Sequence, residues 1–63
     1  MFRNGDKYEN ENGVTLEIVK IDGSYLYIQQ KSENEIKNYK TVAGILVINL
    51  LNGNFRKVVD KIK

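Results

Sequence analysis

The stretch Leu16-Glu17-Ile18-Val19-Lys20-Ile21-Asp22-Gly23-Ser24-Tyr25-Leu26-Tyr27-Ile28 decides the fold. Two runs rich in β-branched and aromatic residues flank one Asp-Gly pair, and Asp-Gly suits a hairpin turn whose central residues need positive φ. The stretch reads as a β-hairpin with strands over 14–21 and 24–30. A two-residue loop at Asp22-Gly23 pairs Ile21 with Ser24, Val19 with Leu26 and Glu17 with Ile28 on one face. The other face pairs Lys20 with Tyr25, Ile18 with Tyr27 and Leu16 with Gln29. In that register both faces are substantially apolar, whereas a sheet with one solvated face alternates more cleanly. The adjacent pair Ile18-Val19 marks a bulge that bends the strand.

Working outward, Asn12-Gly13 and Asn52-Gly53 repeat the turn chemistry, Asn4-Gly5 precedes them, and proline is absent. An antiparallel meander follows. Lys7 to Glu11 reads as a short strand returning through Asn12-Gly13. Lys31 to Asn38 is polar; Ser32 and Glu35 have capping-box spacing, but too few apolar residues follow at helical intervals, so a solvated loop is expected. Thr41 to Leu51 can be written two ways. As a helix it has Thr41 as N-cap, Asn52-Gly53 as its stop, and Val42, Ile45, Leu46 and Leu50 inward. As a strand it pairs Leu50 with Phe55 across Asn52-Gly53, which suits its β-branched residues. The helix is the reading adopted. The fold class is therefore α+β: a meander of about four strands, with one short helix near 41–51 before the last strand. The alternative is an all-β, five-stranded small barrel like the Src-homology-3 fold.

This layout resembles that of many short uncharacterised proteins of phage and mobile elements. They share an opening Gly-Asp-x-Tyr, here Gly5-Asp6-Lys7-Tyr8, then a hairpin, a helix and a closing basic-aliphatic strand. The resemblance implies no activity and transfers no functional residues.

Sixty-three residues make one domain, 1–63. A core this small rarely supplies more than about 3–5 kcal/mol without a staple. With no Cys and no His, disulfides are impossible and a zinc site has lost its two best ligands. Self-association or docking on a partner is the staple left open. The opening residues turn polar too soon for a signal peptide, and Val42 to Leu51 is about half a membrane span, so a cytoplasmic location and no membrane partner are expected. Charge is uneven: residues 1–35 carry four basic groups against seven acidic, and residues 36–63 carry six against Asp60 alone. Such asymmetry marks either a binding face or an internal match between halves.

Chemistry is restricted as well. No thiolate or imidazole is present, the glycines match no phosphate-binding loop, and Ser and Thr have no histidine base. Glu9, Glu11 and Glu17 could share acid and base roles or hold a hard cation weakly, but read more simply as a solvated acidic strand end. No catalytic, cofactor or metal residues are assigned, no cofactor or small-molecule substrate is expected, and the chain is read as no enzyme. The interaction residues are Lys20, Tyr25, Tyr27 and Gln29 on one strand face, with Arg56 and Lys57 near the basic end that also holds Lys61 and Lys63. Tyr25 and Tyr27 at i, i+2 beside a cation resemble a single-strand stacking platform, while the simpler reading places both rings over the core. The expected function is a small module binding another protein or itself as a homodimer, a phage or mobile-element regulator or inhibitor of a host system. The alternative is a small nucleic-acid-binding β-barrel.

Overall fold

The computed structural model describes residues 1–59. Strands β1 (Lys7–Glu9), β2 (Thr15–Asp22), β3 (Tyr25–Lys31) and β4 (Ile36–Val42) run in chain order, followed by helix α1 (Ala43–Asn52) and strand β5 (Arg56–Lys57). They form one five-stranded sheet, β4-β3-β2-β1-β5, with every neighbouring pair antiparallel. The α+β meander with a helix before the last strand is thus the architecture. Its edges, β4 and β5, do not meet, so the barrel alternative is not adopted.

The central hairpin turns one residue later than the spacing of Asp22-Gly23 suggests. Asp22 pairs with Tyr25, leaving Gly23-Ser24 as the loop. Gly23 has φ +61° and Ser24 does not share its sign, the pattern of a type II′ turn with glycine first. Lys20 then faces Tyr27 and Ile21 faces Leu26, but the register shifts between Ile18 and Lys20, so that Ile18 faces Ile28. Val19 is the unpaired residue, the bulge that Ile18-Val19 announces. Because side chains alternate along a strand, that single extra residue moves Leu16 and Ile18 to the face of Leu26 and Ile28, and sends Glu17 to the other. The expectation that the sheet is apolar on both faces is therefore corrected. One face is aliphatic and the other mixed, as in an antiparallel sheet covered on one side.

The segment 31–38, expected as a loop, is a loop only over 32–35, and its two ends are strand. Lys31 ends β3, Ile36 begins β4, and the Ser32 N–H donates to the Glu35 carbonyl (2.9 Å) to close the hairpin between them. Polar residues fit here because β4 is an edge strand, and lysine on an edge discourages pairing with other chains. The fifth strand beyond the expected four comes from this segment.

Helix α1 crosses the aliphatic face from the β4 edge towards the β5 edge. Ten residues at about 1.5 Å each give roughly 15 Å of helix, against about 19 Å between the outermost of five strands; the short turn after α1 supplies the remainder. The core is Tyr8, Leu16, Ile18, Leu26 and Ile28 from the sheet with Leu46 from the helix, fringed by Phe2, Tyr39, Leu50 and Phe55. Leu46 is fully buried, and a side chain so placed contributes about 1.5–3 kcal/mol. Of the residues expected inward, Leu46 and Leu50 are so. Ile45 is half exposed, and Val42 is the extended residue preceding the helix, with no side-chain cap where Thr41 was expected to supply one.

The stop of α1 is a Schellman motif. The Phe55 N–H reaches the Leu50 carbonyl (2.9 Å) and the Asn54 N–H the Leu51 carbonyl (3.2 Å). Asn54, not Gly53, takes the left-handed conformation (φ 56°). Gly53 has φ −92° and is needed for space instead, because a Cβ there would stand 2.5 Å from the Phe55 ring.

Candidate interaction surfaces

The helix has two sides of unequal use. Leu46 and Leu50, one turn apart, meet the sheet. Ile45, Ile48 and Leu51 point away from it and are 50%, 52% and 72% exposed, with Val47 exposed beside them. No charged residue occurs from Ala43 to Asn52. A helix apolar all round is ordinarily buried on all sides, and an amphipathic one carries charges on its outer face. This helix does neither. Beside its first turn, Met1, Phe2, Ile21, Leu26 and Val42 line a cleft of about 410 Å³ that extends the apolar surface.

The helix is held in place by one loop residue that composition did not single out. The Asn10 side-chain oxygen accepts the N–H groups of Asn12 (3.0 Å) and Val14 (3.1 Å), shaping the β1–β2 turn, while its Nδ2 donates to the Gly53 carbonyl (3.1 Å). The end of α1 is thereby tied to the sheet. An Asn followed two to four residues on by Asn12-Gly13-Val14 is the available sequence signal, since Asn side chains bond their own backbone in such turns.

On the opposite face of the sheet, β3 presents Tyr25, Tyr27 and Gln29 in a row. Lys20 lies opposite Tyr27 on β2, and Lys40 and Asn38 lie opposite Tyr27 and Gln29 on β4. The simpler reading, with both rings over the core, is corrected: Tyr25 is 48% exposed and neither ring belongs to the core. The Lys20 ammonium sits 5.3 Å from the Tyr27 ring centre and the Lys40 ammonium 4.7 Å from that of Tyr25, both within cation–π range. Lys40 was missed because it lies in the segment read as leading out of a loop into the helix.

Arg56 and Lys57 do not join this group. Arg56 pairs with Glu9 and Lys57 with Tyr8 on β5, at the far edge of the sheet. Lys57 faces the helix side and meets the Asp6 carboxylate at 3.6 Å. The Val58 N–H donates to the Lys7 carbonyl (2.8 Å), extending the pairing, whereas Val59 is largely exposed. Lys61, Ile62 and Lys63 lie outside the described residues. Glu9 and Glu17 share the outer face but Glu11 lies in the turn, and among the described residues no three acidic groups gather closely enough to share a cation. Burial, and after it the Asp6 carboxylate, holds the Tyr8 phenol above its ordinary 10.0; burial alone does the same for Tyr39.

No protein-family model, curated protein or solved structure matches the chain. Among the described residues, no helix is long and apolar enough to cross a membrane.

Proposed function

We propose that this chain is a non-enzymatic protein-interaction module that seats the outer face of α1 in an apolar groove of a partner protein, acting by occupancy as a regulator or inhibitor of that partner. The observation that carries this reading is the uncharged helix with Ile45, Ile48 and Leu51 turned outward. Helices that lie in grooves anchor through apolar side chains on one face, and Ile45, Ile48 and Leu51 at i, i+3 and i+6 present such a face here. A groove suits them better than a second copy of the chain. Stable interfaces cover about 800 Å² per partner, and two such helices laid side by side would cover much less, whereas a groove also covers Val47 and the helix flanks. A lipid surface fits poorly, because interfacial helices carry lysine or arginine for headgroups and α1 carries none.

A photo-crosslinking amino acid placed at position 48, in cells producing the whole chain, tests this. One discrete product with a single larger partner is expected, with none from the same probe at Glu33. Reconstituted from purified components, the complex should weaken at least about 30-fold with Ile48→Lys, the size of an interface hot spot. Stability should change by no more than about 0.5 kcal/mol at so exposed a site. A product of twice the chain's mass would make the occupant a second copy, and a monomer alone would overturn the reading.

A further inference from the structure

The outer face of the sheet is a surface of different chemistry, on the side away from α1. We infer that it binds single-stranded nucleic acid, two successive bases stacking on Tyr25 and Tyr27 while phosphates run along β4 past Lys40. This does not rest on the proposed use of the helix.

Spacing comes first. Tyr25 and Tyr27 are neighbours on one face of β3, and side chains two residues apart on a strand stand about 6.8 Å from each other. That lets adjacent bases of an extended strand each find a ring, and every base has a face to stack. Charge decides the path. Of the outer-face residues on β2, Lys20 stands between Glu17 and Asp22, so phosphates are repelled on either side of it. Strand β4 offers Asn38 and Lys40 on this face, between Ile36 and Val42 at its two ends, and carries no acidic residue. Between the two strands lies a shallow hollow of about 300 Å³, lined by Val19, Tyr27, Asn38 and Lys40 with the backbone-adjacent Ile28 and Tyr39. Gln29 and Asn38, paired across the strands, set amide groups beside the rings, where base edges would lie.

The lysines above the rings fit this use. In the free protein each ammonium covers a tyrosine face; when a base takes the Tyr25 face, Lys40 is freed to reach a phosphate on β4, while Lys20 stays between Glu17 and Asp22. An acidic peptide could neutralise Lys20 and Lys40 but has no flat groups for both rings, so nucleic acid is the occupant favoured.

The test uses the purified full chain with a fluorescein-labelled twelve-nucleotide oligothymidylate, its duplex with oligoadenylate, and polyglutamate as competitor. Binding of the single strand is expected at low salt, with quenching of tyrosine fluorescence. Tyr27→Ala should weaken it about 5- to 150-fold, the loss of one base stack, and Tyr27→Phe should leave it nearly unchanged. Lys40→Gln should reduce the slope of log affinity against log salt by about 0.7, one phosphate contact. Circular dichroism of each variant separates lost binding from lost folding. Failure to bind at 20 mM salt and 100 μM protein (conditions on the order of the weakest non-specific binding) would overturn the inference. So would equal binding of the duplex, full displacement by polyglutamate without the aromatic dependence, or a folded Tyr27→Ala that binds as the parent does.

Discussion

Replacing Asn10 by Ala should cost this protein a sizeable part of its stability, although the residue lies in a loop. Three side-chain hydrogen bonds disappear. The bond to the Asn12 N–H is exposed, and water replaces it. The bonds to the Val14 N–H and the Gly53 carbonyl are partly buried, each contributing about 0.5–1.5 kcal/mol, so the loss should be about 1–3 kcal/mol. In a domain this small that lowers Tm by roughly 8–16 °C at the middle of the range. Urea and thermal unfolding followed by far-ultraviolet circular dichroism measure it. Asn10→Asp separates the two ends of the side chain. It keeps both acceptors but lacks the donor to Gly53, and sets a carboxylate against the negative end of the α1 dipole. At neutral pH it should therefore also destabilise. An Ala variant within about 0.5 kcal/mol of the parent, or an Asp variant of parental stability at neutral pH, would refute the reasoning.

Two further outcomes follow from the packing. Gly53→Ala should destabilise by about 1–3 kcal/mol through overpacking, because the new methyl displaces Phe55 rather than straining φ; in a Phe55→Ala background most of that cost should vanish, and a cost unchanged there would show that space is not the cause. Tyr8 holds its proton more tightly folded than unfolded, so stability should be full below pH 10 and fall as pH rises through the folded pKa. Alkaline unfolding followed by phenolate absorbance should show Tyr8→Phe losing less stability over that interval than the parent; identical alkaline profiles would remove Tyr8 as the cause.

The central hairpin was legible from its β-branched runs around a glycine turn, whereas the helix was separated from a strand only by the Asn52-Gly53 stop, since the β-branched residues of 41–51 suit either. Strand β4 was not legible, since its partner β3 supplies the backbone bonds and its own residues, Lys37, Asn38 and Lys40 among them, are those of a solvated edge. Lys20, Tyr25, Tyr27 and Gln29 were correctly placed on one face, because alternation along β3 and the end of β2 is independent of the loop's exact position. Lys40 was hidden by the missed strand. Arg56 and Lys57 were grouped with them by charge alone, and the sheet order sends them to the far edge.

The bulge at Val19 links these results. Written without it, the hairpin leaves Leu16 and Ile18 beside the tyrosines, and the tyrosine face then needs a second copy or another partner to cover it. With Val19 set aside, Leu16 and Ile18 join Leu26 and Ile28 beneath α1. The tyrosine face loses Leu16 and Ile18 and gains Glu17, keeping Val19 beside its hollow, so it is mixed rather than continuously apolar. The same transfer completes the aliphatic layer with residues of the sheet, so α1 contributes to that layer mainly through Leu46 and Leu50. Its remaining aliphatics have no place inside and stand outward at Ile45, Ile48 and Leu51. One unpaired residue thus moves the larger uncovered apolar surface from the sheet to the helix and leaves the sheet's outer face mixed, with Tyr25, Tyr27, Lys20 and Lys40 among Val19, Glu17 and Asp22.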